Sequence, residues 1–344
     1  MNGQPIAAVK AGLVSSVGLS AAASCAAIRA AVTNHTPTRF INEAGEWILA
    51  GQVPLDPPWR GRKKLVTMLR MAVEECIDGV EQFNAASVPV MLCLAESSRH
   101  GRLEGLDENV LGELQRDLSL KFHATLSGVI ASGRVSVVRA LSQARTLLHQ
   151  HRVPYVLIAA ADSLLVGPTL ARYESEGRLL TPLNSDGFIP GEAGGALLIA
   201  REPGRLPSLV CEGLGFATER AVLGSDEPFR AEGMKEAMKR ALLEANCGLH
   251  DVDFRVTDNS GEQYYFKEAA LAVSRTLRRR KEEFDIWHPA DCLGEVGAAI
   301  GAASVAVALT ACVKGYSPGA RILIHAGNDA GDRGVSVWRY EGTA

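Results

Sequence analysis

Residues 180–199 read LTPLNSDGFIPGEAGGALLI, and this stretch decides the fold. It begins with a turn-rich run, bends again at Pro190 and Gly191, and enters an apolar run at residues 196–199. Its four glycines and two prolines indicate backbone that turns tightly or lies close to other backbone. We therefore predict a loop that leads into a buried strand.

The composition excludes several classes of protein. The 344 residues are 47% hydrophobic and 22% charged, enough for one large α/β fold or two fused halves. A net charge of −3 argues against nucleic acid as a partner. Seven dispersed cysteines without a CxxC pair predict reduced thiols and a cytoplasmic location. The N-terminus does not resemble a signal peptide, and the uncharged run 296–313 predicts a buried helix rather than a membrane span, so we expect no membrane partner.

Segments of the second half of the chain repeat segments of the first. SLVCEGLGFAT at 208–218 echoes IAAVKAGLVSS at 6–16, and residues 288–329 parallel residues 123–162. Each long segment has a His-led loop, a small-residue turn, a helix, a link and an apolar strand. We predict an internal duplication with halves at 1–205 and 206–344 in one compact fold. Residues 36–60, which are rich in proline, are predicted to be an irregular surface excursion, and a helix is predicted over 63–83.

These segments resemble β-ketoacyl synthases, the condensing enzymes of the thiolase superfamily. The similarity lies in DGF-x-x-GE-x-x-G at 186–195, in GLVSSVG at 12–18 before an alanine-rich helix, and in a small-residue helix at 294–310. It implies an α/β, thiolase-like fold with duplicated α/β halves in a layered αβαβα arrangement. It implies no cofactor, and the sequence suggests no metal site.

The resemblance also locates the family's catalytic cysteine, two histidines and lysine, and none of these residues is kept. The C-A-S-G turn matches residues 130–133, which puts Ile130 at the cysteine, while a slip puts Ala131 or Ser132 there. Ser260 stands at the first histidine. The second histidine and the lysine match Gly294 and Pro289 without a gap, or Glu295 and Ala290 with one gap. The phenylalanine of the C-terminal acyl-gating loop is replaced within residues 327–331.

These losses predict a protein without the family's activity. Imidazoles stabilise the oxyanion formed on decarboxylation, whereas a carboxylate at Glu295 would repel it. Losing one member of a cooperating catalytic set costs on the order of 10³–10⁶ in rate. We therefore predict a catalytically inactive binding or assembly partner. The alternative is an acyl-handling enzyme, a condensing enzyme, acyltransferase or hydrolase, that uses Ser132 with Glu295 or a nearby histidine as base.

The simpler interpretations of single residues remain open. Glu295 is expected to interact with a helix dipole, and Ser132 and Ser260 to cap turns. His123, His288 and His325 are expected to be structural. The cations at 275–281 are interpreted as a solvated helix end rather than a docking patch.

The sequence also suggests partners. An apolar strand at 124–130 predicts a homodimer, or a heterodimer with a related intact subunit, because an uncovered edge invites pairing. Acyl carrier protein is the less favoured partner. Shortened thiolase-like proteins without the site residues are found beside type VI secretion effectors, and the resemblance to that group implies an effector or adaptor as partner.

Overall fold

The computed structural model describes residues 3–81, 83–204 and 207–342. The helices are α1 (Ala21–Arg29), α2 (Gly61–Ile77), α3 (Leu106–Leu118), α4 (Ser136–Gln150), α5 (Gly167–Ser175), α6 (Glu232–Glu244), α7 (Gln263–Thr276), α8 (Ala290–Leu293) and α9 (Ile300–Val313). The strands are β1 (Ile6–Val14), β2 (His35–Ile41), β3 (Trp47–Gly51), β4 (Val90–Leu94), β5 (Gly128–Ala131), β6 (Tyr155–Ser163), β7 (Glu192–Ala200), β8 (Ser208–Thr218), β9 (Phe254–Thr257), β10 (Ile286–Trp287), β11 (Arg321–Gly327) and β12 (Asp332–Glu341).

The main sheet shows the predicted duplication. Its strand order is β10-β9-β11-β12-β8-β1-β7-β6-β4-β5, and β1 pairs with β8 where the two halves meet. Counted outward from this junction, the strand order of one half matches that of the other. The predicted boundary between residues 205 and 206 lies outside the described residues and stays a prediction.

The helices form three layers around the two halves of the sheet. α4 and α9 lie in the centre, where they share one hydrophobic core with β4–β6 on one side and β9 and β11 on the other. α2 and α3 pack on the outer face of the first half, and α6 and α7 on that of the second. This is the predicted αβαβα arrangement. Among the described residues, none of the helices combines the length and the apolar character needed to span a bilayer.

Small residues allow α4 and α9 to cross closely. A Cβ on Gly301 of α9 would lie 2.6 Å from the Cβ of Val137 on α4, closer than two carbon atoms pack. α9 begins at Ile300 and not at residue 294 or 296 as predicted, because Gly294 (φ +78°) and Gly297 (φ +53°) adopt left-handed backbone that interrupts a helix.

Residues 36–60 are not irregular throughout, so that prediction was wrong. β2 and β3 form a separate two-stranded antiparallel sheet in which Ile41 pairs with Trp47. Ile48 is buried against Leu164, Leu170 and Phe188, while Trp47 points outward. Pro37 is tolerated because it lies in an edge strand.

Three further boundaries differ from prediction. The helix predicted over 63–83 is α2, which ends at Ile77. α7 ends at Thr276, so most of the basic run 275–281 follows the helix instead of ending it. The strand predicted at 124–130 is the shorter β5, which lies at the edge of the main sheet.

Candidate functional site

The segment that decides the fold also joins the two halves at the site. Its strand, β7, is buried along its whole length. Just before β7, Gly191 donates its N–H to the carbonyl of Glu295 at 2.9 Å, and Glu295 donates its own N–H to the carbonyl of Ile189 at 2.7 Å. A Cβ on Gly194 would lie 2.7 Å from the backbone of Met68 on α2, so this position requires glycine.

The turn between β5 and α4 carries no nucleophile with a base. Ile130 is buried in the apolar core. Ser132 Oγ accepts a hydrogen bond from Arg139 Nη1 at 3.2 Å, and its backbone N–H donates to Ser136 Oγ at 3.0 Å. A guanidinium cannot take a proton from a serine, so this geometry does not support Ser132 as a nucleophile.

The sharpest position of that turn is Gly133, which the sequence match did not select. Its φ is +55°, and a Cβ added there would lie 2.3 Å from Oε2 of Glu96. Gly133 therefore presents no side chain at this turn, and the carboxylate of Glu96 occupies the space where a side chain would lie.

Two of the positions matched to the family's catalytic residues meet in the structure. Ser260 Oγ donates to Glu295 Oε2 at 2.9 Å, and the backbone N–H of Gly297 donates to Glu295 Oε1 at 2.9 Å. Glu295 is buried. Its Oε1 accepts the first N–H of the 3₁₀ turn Gly297–Ala299, which runs directly into α9, so Glu295 lies at the N-terminus of this helical stretch as expected. Its Oε2 accepts from Ser260 and from a guanidinium.

Ala290 and Gly294, two of the positions matched to the lysine and to the second histidine, contribute no polar side chain. Ala290 is buried in α8. Gly294 has φ +78°, and a Cβ there would lie 2.8 Å from the carbonyl oxygen of Ile189. Glu295, and not Gly294, therefore faces the site.

Arg134, which sequence analysis missed, lies at the centre of the site. Only 7% of its surface is exposed. Its guanidinium lies 2.9 Å from Asp329, 3.3 Å from Glu295 and 3.7 Å from Asp258, and 4.4 Å from the centre of the Tyr265 ring. It comes from the first half of the chain, and all three carboxylates come from the second.

Two further arginines extend this arrangement. Arg178 binds Glu262 through two hydrogen bonds of 2.7 and 2.9 Å and Asp329 at 2.7 Å. Arg99 binds Glu96 at 2.6 Å and Asp162 at 2.7 Å. We call this set the ion-pair cluster; its members are Arg99, Arg134, Arg178, Glu96, Asp162, Asp258, Glu262, Glu295 and Asp329.

The ionisation of the cluster follows from burial and from its guanidinium groups. Burial raises the pKa values of Asp162, Asp258 and Glu295, against the opposing effect of the nearby arginines. Burial also acts on Asp329, but Arg134 and Arg178 outweigh it and hold the pKa of that carboxyl well below its usual range. The cluster thus places carboxyl groups with raised pKa values beside Asp329, whose pKa is lowered, and pairs them with guanidinium groups.

The three histidines near the site edges do not join the cluster. His123 Nδ1 accepts a backbone N–H from Leu126 at 3.3 Å, and His288 Nδ1 bonds to Thr257 Oγ1 at 2.9 Å. His325 is fully buried, and neither of its ring nitrogens has a partner within the described part of the chain. Burial lowers the pKa of His325 to about 3, so it is neutral at pH 7. All seven cysteines are free thiols, and the described residues hold no metal-binding group of His, Cys, Asp and Glu.

A cleft of about 800 Å³ opens above the cluster. The polar residues after β4, including Glu96 and His100, form part of its wall. Arg178, Glu262 and Asp329 form its floor.

Comparison with solved structures identifies the fold. A type II polyketide synthase structure (AntDE:AntF), an acyl-carrier protein in complex with its ketosynthase bound to the hexaketide, aligns at 14% identity over 98% of this chain and 99% of the other, TM-score 0.77. The ketosynthase ApeO in complex with its chain length factor ApeC, from Xenorhabdus doucetiae, aligns at 12% identity over 98% of both chains, TM-score 0.74. The oxazolomycin ketosynthase domain OzmH KS7 of Streptomyces albus aligns at 12% identity over 98% of this chain and 75% of the other, TM-score 0.80.

No family model and no curated protein matches the chain. At these identities the structural similarity establishes the fold, and the predicted fold class is confirmed: this is a thiolase-like, ketosynthase-type fold. Activity has to be argued from the site itself.

Proposed function

We propose that the protein is a catalytically inactive ketosynthase-like protein that serves as a binding or assembly partner. One observation carries the proposal. Where the family's catalytic residues are expected, buried Arg134 and Glu295 bond to each other, and half-buried Ser260 donates to Glu295. A condensing enzyme needs a thiolate and neutral imidazole donors at that point, and a carboxylate there opposes the oxyanion.

The favoured partner is a related subunit bound at β5. This strand ends the main sheet, with β4 on one side and no strand of the described chain on the other. Residues such as Leu126, next to it, are partly exposed and apolar. Pairing of β5 with another chain would cover the edge. The similarity to a ketosynthase solved with its chain length factor supports a heterodimer over the homodimer, and the similarity to a ketosynthase bound to its acyl-carrier protein keeps that carrier as the second choice.

The finer assignments remain predictions. They are a role beside type VI secretion effectors, a cytoplasmic location and the division of the chain at residues 205 and 206. Affinity purification of the tagged protein from its native cells, followed by mass spectrometry, tests the first. Recovery of a related subunit or of an effector would support the proposal.

The inactivity is tested with the purified protein, alone and mixed with any recovered subunit. Malonyl-carrier decarboxylation and acyl condensation are measured, and we expect no turnover from the protein alone. An intact ketosynthase serves as the positive control. Turnover by the protein alone at the control's rate would contradict the proposal. For the interface, Leu126→Lys is expected to abolish co-purification of the subunit, and unchanged co-purification would exclude this edge.

A further inference from the structure

The cleft above the ion-pair cluster carries more negative than positive side chains. The carboxylates that line it are Glu96, Glu176, Asp186, Glu262 and Asp329. Among the described residues, three guanidinium groups line it, so this lining has an excess of two negative charges when these groups are ionised. Charges of one sign in a concave site concentrate ligands of the opposite sign.

The guanidinium groups of the cleft are already engaged. Arg99 and Arg178 bind the carboxylates of the cluster, and Arg172 pairs with Glu176 at 2.6 Å. An anionic ligand such as a phosphate or a carboxylate would have to replace these partners. For Arg99 and Arg178 the cost of leaving a buried carboxylate without its cation makes that replacement unfavourable, whereas the Arg172–Glu176 pair is exposed and weak.

Two exposed carboxylates of the cleft, Glu176 and Asp186, in contrast keep room for donors. An ionised carboxylate can accept about four hydrogen bonds. Asp186 is exposed, and within the described part of the chain its Oδ1 accepts one hydrogen bond, from the backbone N–H of Gln263 at 2.7 Å. The side chain of Glu176 is 33% exposed, so its remaining lone pairs can be reached from solvent, whereas Asp329 already accepts four hydrogen bonds, from Arg134, Arg178 and Tyr265. The cleft therefore suits a guest that is positively charged and donates hydrogen bonds.

We propose that this cleft binds a lysine- or arginine-bearing segment of a protein partner. Its volume of about 800 Å³ is in the range that encloses a ligand of several side chains. The inference rests on the proposed function, because a cleft that does not admit a substrate to a catalytic site can be occupied by a peptide. It further specifies the partner by its charge.

The test uses a fluorescein-labelled hexalysine peptide and measures anisotropy at about 50 mM NaCl. We expect hexalysine to bind, labelled hexaglutamate not to bind, and the hexalysine affinity to fall at least tenfold at about 300 mM NaCl. The double variant Glu176→Gln/Asp186→Asn is expected to weaken binding at least tenfold. Both residues are exposed at the cleft, so the fold is expected to survive.

The matched control is Glu108→Gln/Asp117→Asn, which removes the same charge from the exposed face of α3, away from the cleft. It is expected to change the affinity less than twofold. Equal weakening by both pairs, preferred binding of hexaglutamate, or no hexalysine binding would each overturn the inference. These outcomes are separate from the turnover assay, since turnover would refute the proposed inactivity whatever the peptide does.

Discussion

Arg134→Met tests whether the ion-pair cluster holds the two halves together. Methionine keeps an unbranched apolar side chain, shorter than that of arginine, and removes the charge that faces Asp329, Glu295 and Asp258 at 2.9, 3.3 and 3.7 Å. Removing one partner of a buried ion pair costs about 3–5 kcal/mol, because it leaves an uncompensated buried charge. Asp329 keeps Arg178 at 2.7 Å, so the cost arises mainly at Glu295 and Asp258. We expect the free energy of unfolding to fall by about 3–5 kcal/mol at pH 8.

The same reasoning fixes the sign of the pH dependence. Burial already raises the pKa values of Glu295 and Asp258, and loss of Arg134 raises them further. The folded variant then binds more protons than its unfolded chain, whose carboxyls have pKa values near 4. Its stability therefore increases as the pH falls from 8 to 5, relative to the parent protein. The difference between the two proteins is expected to shrink at pH 5.

Urea unfolding followed by the fluorescence of the four tryptophans measures both effects. Far-UV circular dichroism first checks that the variant is folded. The second variant, Arg134→Met with Glu295→Gln, is expected to recover part of the loss, since the amide removes one uncompensated charge. A loss below about 1 kcal/mol at pH 8 would refute the reasoning. So would a loss that is larger at pH 5 than at pH 8.

Three further outcomes are expected. In the parent protein, His325 is expected to lower the free energy of unfolding by about 2 kcal/mol between pH 7 and pH 5, because the imidazole of the unfolded chain, with a pKa near 6.5, binds a proton and the buried imidazole does not. In urea titrations, the stability of His325→Leu should therefore fall less steeply as the pH is lowered. An unchanged pH dependence would contradict this prediction. Gly301→Ala should destabilise the protein by about 1–3 kcal/mol, because the added methyl group pushes Val137 and α4 away. Gly112→Ala, in α3 with open space around it, should stabilise the protein by about 0.5–1 kcal/mol. Thermal unfolding compares the two variants, and equal effects would contradict the packing argument. Gly133→Cys should restore no condensation in the malonyl assay, since a single thiol at φ +55° facing Glu96 has no imidazole partner; measurable condensation would show that the remaining site is still competent.

The fold was predictable from the sequence because apolar runs indicate buried strands, and glycine-rich segments indicate where the backbone turns. The 180–199 segment and the repeat of residues 123–162 in 288–329 were sufficient for the duplicated architecture. The β2–β3 hairpin was missed because Pro37 lies in an edge strand, where proline is tolerated, and because the other prolines of residues 36–60 follow the hairpin. The start of α9 was misplaced because the backbone angles of Gly294 and Gly297 cannot be seen in an apolar pattern.

The site was predicted only in part. Ser260 and Glu295 were singled out because the resemblance to ketosynthases matches each to a histidine, Glu295 only when one gap is allowed, and the structure places the two side chains in contact. Arg134 was missed because a guanidinium next to a turn is usually solvated, and only the fold shows that carboxylates from the other half surround it. The polar residues at 258–262 and 327–329 were the sequence signals for this cluster. Each run was interpreted separately, as a family loop whose characteristic residues had been replaced.

The pairing of β4 with β5 places the edge of the sheet beside the cleft. Leu94 at the end of β4 is in register with Ala131 of β5, and Glu96, two residues further along, lines the cleft. A subunit that shifts β5 would therefore also shift the carboxylate at the cleft wall. Binding free energies coupled in this way are reciprocal, so a basic segment in the cleft would change the affinity for the subunit by the same factor as the subunit changes the affinity for the segment.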